Sequence, residues 1–540
     1  MLQPENQPKK YQHLFTEIDT GKIKIPKFQR DFIWEKEQTA KLIDSIIKGY
    51  PIGTFILWKT REELRHYKDI GNIKLPETPK GDSIFYVLDG QQRITSLYAV
   101  KKGIILTRDN KEIDYKDISI DLSFDSETDD EIVLTKPPNN SRYISVYKLL
   151  NGSLTKLMKD FDEKELEKIE KYQKRLTGYD FPTIVISDYP MDIACDIFTR
   201  INTGGTELTL FEIMVAKTYD EEKNFDLLYE YEWLIDNKGV EKDLQDAGFE
   251  TTPSSTVLQC ISAYLSKSIR RNDILKLNKY DVIKGWKTVK QGIFHAVDYM
   301  RSQLRIPVSN LLPYYILLFP FTYFFIKNNG KEPTKIQNKL LIQYFWWASL
   351  TSRFSSSVDS KMATDLNRID DILQEKTPSY RGEDEVDLEN KEWQWFSTGD
   401  AFCKAILCIY AYFEPKSFSS SSIIKIDNSW LIRSNSKNYH HFFPRSYLRK
   451  KGFEDWKANS IFNITFVDEY LNKRTIGAKP PSRYMRQFSK ENSEIKETMK
   501  THLIDDLDRF GIWIDDYEKF IKNRYKRVVR EINKRLEPKI

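Results

Sequence analysis

The chain has 540 residues, 40% hydrophobic and 13% aromatic, with a formal net charge of +5. At roughly 150 residues per domain, that is material for two to four domains with sizeable cores. Its four cysteines, Cys195, Cys260, Cys403 and Cys408, form no CxxC pair, which excludes a zinc ribbon or a disulfide framework and suits a reducing cytosol.

The polar start, "MLQPENQPKK", carries no signal-peptide pattern, and a cytoplasmic protein is expected. In "WEKEQTAKLIDSIIKGYPIGTFILWK", Leu42, Ile43, Ile46 and Ile47 recur at helical spacing. Gly49 and Pro51 stop that helix, and Thr54 to Lys59 read as a strand. "SIFYVLDGQQRITSLYAV" follows as a buried strand from Ile84 to Leu88, a tight Asp89-Gly90 turn, and a helix from Gln91. A strand that enters a helix through a glycine turn can hold an anion, because the first helical N–H groups have no partners inside the helix. Arg93, in the first turn, could add a bidentate contact. A DG turn used only as a connection is equally compatible with this segment alone.

Two more clusters belong to the same region. "IPKFQRDFIW" sets Gln29, Arg30 and Asp31 between aromatics. "FTRINTGGTELTLFEI" contains an Asn202–Gly205 loop and, at Thr209 and Glu212, the capping box of the next helix. The three segments, in this order, resemble the N-terminal domain of the GmrSD family of modification-dependent restriction enzymes over roughly residues 10 to 220. That domain is similar to the ParB/sulfiredoxin nucleotide-binding fold. The resemblance implies binding of a nucleoside triphosphate, and its hydrolysis, by Arg30, Asp89, Gly90, Gln91, Gln92 and Arg93, with Asn202 assisting. The chain has no GxxxxGK[ST] loop, so any NTPase site is of this other kind.

Residues 221–415 read as a helical connecting region with no motif. Its most apolar run, Leu311 to Ile326, is shorter than the ~20 residues that span a bilayer and contains Pro313 and Pro320, so a buried helix is expected. The serine-rich "KSFSSSSIIK", Lys416 to Lys425, reads as a linker.

The last region, 425–540, is basic. Residues 437–486 carry 11 Lys and Arg against 4 Asp and Glu, and residues 514–540 carry 9 against 5. Such a field suits a polyanion, although a solvated lysine surface has the same composition. Of the six histidines in the chain, His440 and His441 are adjacent, in "NYHHFFPRSYLRK". A strand over Tyr439–Phe443, a second over Asn463–Val467 and a helix carrying Asn472 would let His440, His441, Asn463 and Asn472 converge. Phosphodiester hydrolysis needs such a set: a neutral imidazole as general base and a hard divalent ion for the departing oxyanion. Lys437, Arg445, Arg449, Lys450, Lys473 and Arg474 are placed to bind the DNA backbone. His13, His66, His295 and His502 have no ligand-spaced partners and read as structural or surface residues. The C-terminal "YEKFIKNRYKRVVREINKRLE" is a basic amphipathic helix suited both to packing and to phosphate contact.

The histidine region resembles the HNH, or ββα-metal, nuclease fold that ends GmrSD-family proteins. The resemblance makes His441 the general base and Asn463 the residue that orients its loop. His440 and Asn472 become the metal ligands. Many relatives have Asp or Glu in place of His440, and some have histidine in place of Asn472. Mg²⁺ is expected, with Mn²⁺ as the alternative. The whole reads as a multidomain α+β protein: a nucleotide-gated HNH endonuclease that cuts foreign or modified phage DNA. The competing reading is a nucleotide-switched DNA- or partner-binding module with an inactive nuclease. RNA as substrate and a homo-oligomeric state both stay open.

Overall fold

The computed structural model describes residues 3–537 except 28, 30–31, 62–63, 65, 67–68, 71–72, 80, 109–110, 124–130, 137–141, 202–208, 221, 381–384, 432–438 and 468–475. The chain divides into two compact units, Met1–Phe225 and Asp226–Ile540.

The N-terminal unit is built on a five-stranded mixed sheet. The strands run in the order Glu5–Asn6, Thr183–Ser187, Phe55–Thr60, Ile84–Asp89, Ile23–Lys24. Phe55–Thr60 pairs parallel with Thr183–Ser187 and antiparallel with Ile84–Asp89, with Leu57 opposite both Val185 and Val87. All three of those residues are buried, as central strands require. The helix Lys36–Ile47 follows its sequence pattern. A capping box between Glu35 and Gln38 opens it, and Leu42, Ile43, Ile46 and Ile47 face the core. The Ile84–Asp89 strand passes through Gly90 into the helix Gln91–Lys102. Gly90 has φ +94°, and a Cβ there would meet the Phe55 ring at 2.4 Å, so both backbone and packing require glycine. The capping box of Thr209 and Glu212 opens the helix Leu210–Thr218.

The C-terminal unit is mainly helical. The apolar run expected as one buried helix is two 3₁₀ turns, Ser309–Leu311 and Tyr315–Leu317, and then the helix Leu318–Lys327. Pro320 lies in the first turn of that helix, where its missing N–H breaks no bond. No helix among the described residues is long and apolar enough to cross a membrane. Nearby, the buried Asp365 carboxylate takes Arg353 Nε at 2.9 Å, Arg368 Nη1 at 2.5 Å and the Tyr344 hydroxyl at 2.8 Å. Both guanidinium groups stack on Trp347, 4.8 Å from its ring centre.

The linker expectation for Lys416–Lys425 does not hold. Ser417 N–H donates to Ser422 O at 2.8 Å, which closes a tight turn. Phe418 is fully buried against Phe442, Phe488 and His502. One aromatic residue among the serines locks the segment into the core. The histidines lie on a short antiparallel ribbon, Tyr439–His441 against Ile464–Phe466, shorter than the two strands expected. The ribbon packs against the long helix Tyr517–Leu536, with Phe442 stacked on Phe520 at 4.8 Å.

Candidate functional site

In the N-terminal unit the DGQQR segment is joined to the FQR segment by its glutamines. Gln29 donates its side-chain amide to Val87 O at 2.6 Å and Leu88 O at 3.1 Å. Gln92 Oε1 accepts from Ile33 N–H at 2.9 Å and Trp34 N–H at 3.2 Å. Arg93 turns inward: its guanidinium donates to Ile52 O at 2.7 Å, to Thr54 O at 3.1 Å and to Asp89 Oδ2 at 2.9 Å. It also lies over the Phe55 ring. These bonds hold the Ile52–Thr54 loop over the strand end, so Arg93 orders the turn whether or not it also meets a phosphate. Arg30 and Asn202 lie outside the described residues.

On the ribbon, strand alternation separates the two histidines, because successive side chains point to opposite faces. His440 is 4% exposed and sits opposite Thr465. His441 is partly buried, and its Nε2 lies 2.8 Å from Asn459 Oδ1. The Asn459 amide donates through Nδ2 to Phe396 O at 3.0 Å, which leaves Oδ1 to face the ring as an acceptor. His441 Nε2 therefore carries the hydrogen, and Nδ1 keeps the lone pair. Burial lowers the His441 pKa to about 4, so the ring is neutral at pH 7. A neutral imidazole with one nitrogen held as donor has the other available to take a proton.

Asn463 is fully buried behind the ribbon. Its Oδ1 accepts from Phe443 N–H at 2.9 Å, and its Nδ2 donates to Phe443 O at 3.0 Å and Ala458 O at 2.9 Å. Its own carbonyl accepts from Phe442 N–H at 2.7 Å. The two residues after His441 are thus fixed by one residue, Phe442 by the Asn463 backbone and Phe443 by its side chain. Two supports were not foreseen from sequence. Arg524, fully buried, donates through Nη1 to Phe462 O at 3.0 Å and Ile464 O at 2.6 Å, on either side of Asn463. The Tyr484 hydroxyl donates to Phe442 O at 2.5 Å. Asn459 was also missed, and its only sequence signal is its nearness to Asn463. Asn472 lies outside the described residues.

His502 is a core residue. Its Nε2–H donates to Lys416 O at 2.7 Å, and its Nδ1 accepts from the Thr465 hydroxyl at 2.8 Å. Burial lowers its pKa to about 3. An unfolded histidine binds a proton near pH 6.5, whereas this one stays neutral in the fold down to about 3. The unfolded chain therefore holds more protons across that window, and stability must fall as pH falls through it. His502→Gln is expected to flatten this dependence by up to about 1.4 kcal/mol per pH unit. Urea unfolding at a series of pH values measures the slope, and an unchanged slope would refute the assignment.

Among the proposed phosphate-binding residues, Arg445 and Arg449 both pair with Asp455, the latter with Nε to Oδ1 at 2.8 Å. These two guanidinium groups hold the Asp455 carboxyl below the usual carboxylate range. Lys450 is exposed, while Lys437, Lys473 and Arg474 lie outside the described residues.

Comparison with known proteins gives two results. The chain is 24% identical to Uncharacterized protein MJ0686 of Methanocaldococcus jannaschii over 90% of each protein. Residues 11–219 match the model of the family described as GmrSD restriction endonuclease, N-terminal domain. That span contains the Gln29, Asp89–Arg93 and Thr209–Glu212 arrangements, and the chain is accordingly GmrSD-like across its N-terminal unit.

Proposed function

We propose that the protein is a nucleotide-regulated, metal-dependent HNH endonuclease that cleaves foreign or modified phage DNA in the cytoplasm, in the manner of a type IV restriction enzyme. The observation that carries this reading is His441. It is a neutral imidazole with Nε2–H tied to Asn459, on a ribbon clamped by Asn463, in a chain whose residues 11–219 match a restriction-endonuclease domain. His441 Nδ1 takes a proton from the water that attacks phosphorus, and Asn463 keeps the loop in register for that transfer. On the family resemblance His440 and Asn472 would hold a divalent cation, Mg²⁺ or Mn²⁺, and it would supply positive charge to the departing oxyanion. His440, buried on the ribbon face opposite His441, would have to turn to that side to do so. Among the described residues no group of three or more His, Cys, Asp or Glu could hold a metal, so His440 does not suffice alone. The nucleoside triphosphate is assigned to Asp89, Gly90, Gln91, Gln92 and Arg93, with Arg30 and Asn202.

The test is cleavage of plasmid and phage DNA, modified and unmodified, in Mg²⁺ or Mn²⁺, with and without each nucleoside triphosphate. Metal-dependent cleavage whose rate changes at least several-fold with one nucleotide is expected. Cleavage indifferent to every nucleotide would overturn the gating. No cleavage under any condition would overturn the nuclease.

A further inference from the structure

The helix Tyr517–Leu536 has two unlike faces. Phe520, Arg524, Val528 and Ile532 are its buried face, and Phe520 and Arg524 lock it to the ribbon. Lys519, Lys522, Lys526 and Arg530 are all exposed, at spacings of three, four and four residues. At 100° per residue these four fall within about 80° of one another, roughly opposite the buried face. They span about 16 Å along the axis at 1.5 Å per residue.

Ion pairing separates this stripe from the other basic residues of the same helix. Arg527, Lys534 and Arg535 all meet Glu531, at 2.5, 2.9 and 2.9 Å. Arg527 also meets Asp505 at 3.0 Å. The four stripe residues make no ion pair among the described residues; the exposed acidic residues at the two ends of the helix are Glu518, one turn before Lys522, and Glu537, which lines a surface pocket with Lys526 and Arg530. Four like charges one turn apart repel each other, and among the described residues no ion pair offsets them. A linear polyanion would.

We propose that this stripe is a second DNA-backbone contact, which holds duplex flanking the cut site and does not touch the scissile phosphate. The proposal rests on DNA as the substrate but not on cleavage. The stripe is charge-complementary to a phosphate row, and the helix that carries it is braced on the ribbon of His441 through Phe520 and Arg524. Duplex held there is therefore held at a fixed place relative to His441, which is a positioning contact without base readout.

The experiment measures duplex binding by the full chain carrying His441→Ala, with and without Lys519→Gln, Lys522→Gln, Lys526→Gln and Arg530→Gln together. Neutralising four phosphate contacts should make the slope of log K against log salt shallower by about 3 to 4. Between 50 and 200 mM salt the parent would then lose on the order of 100-fold more affinity than the variant. A charge-preserving set, the three lysines to arginine and Arg530→Lys, should bind as the parent does. An unchanged slope in a variant with normal circular dichroism would overturn the proposal. So would tight binding of the parent to phosphatidylglycerol vesicles but not to DNA. DNA binding with the expected slope, but no cleavage by wild type in any metal, would leave the stripe standing and remove the nuclease reading.

Discussion

His441→Ala is expected to reduce single-turnover DNA cleavage by about 10²–10⁴-fold, the range for loss of a general base, with DNA affinity nearly unchanged. The direction follows from the tautomer. Asn459 is fixed by its bond to Phe396 O and presents only an acceptor to His441 Nε2, so the lone pair lies on Nδ1. Asn459→Ala should therefore give a smaller defect than His441→Ala, because the ring remains and loses only its preferred tautomer and orientation. Neither change touches a phosphate-binding side chain, so the defect belongs in the rate at saturating DNA and not in the half-saturating concentration. Rapid-mix cleavage with enzyme in excess reads the two separately. Cleavage by His441→Ala at the wild-type rate would remove His441 from the chemistry.

The elements that were legible in the sequence are those whose pattern and punctuation agree. Leu42, Ile43, Ile46 and Ile47 at helical spacing, with Gly49 and Pro51 behind them, leave little choice of structure. The Asp89-Gly90 turn was legible for the same reason, since φ +94° at Gly90 suits glycine alone. The strands that pair with these are two to six residues long, and nothing local specifies their order or sense in the sheet. The serine-rich segment misled because composition describes an average, while Phe418 alone decides where the segment lies. In the ribbon the doublet was visible and the resemblance gave its two histidines different roles, but the faces they occupy were not legible. His440 and His441 look equivalent as letters, and only pairing with Thr465 and Ile464 assigns one to the buried face and the other to Asn459. The inward clamp of Arg93 was hidden likewise, because its three acceptors come from residues 52, 54 and 89.

The second large effect is expected at Asn463. Removing its side chain leaves Phe443 N–H, Phe443 O and Ala458 O without the partners they have now, in a site with no exposure to water. Each stranded buried group costs about 1–3 kcal/mol, so Asn463→Ala should lose about 3–5 kcal/mol of unfolding free energy, with cleavage lost alongside. Asn463→Asp distinguishes the donors from the volume. One carboxylate oxygen still accepts from Phe443 N–H. The other replaces a two-hydrogen donor and faces two carbonyl oxygens, and a buried anion with that surround is strongly disfavoured. Protonation restores one donor, so the introduced carboxyl has a folded-state pKa above its unfolded value near 3.9. Its stability contribution is then largest at low pH and is lost as pH rises through the folded pKa. Relative to wild type, Asn463→Asp should therefore be most damaged at pH 7 to 8 and least damaged near pH 4. That trend opposes the one set by His502, whose buried neutral ring makes wild type weaken as pH falls. Urea unfolding of wild type, Asn463→Ala and Asn463→Asp across this range measures the difference directly. An Asp variant that tracks the Ala variant at every pH would mean that the two donated bonds from Nδ2 do not hold the His441 loop.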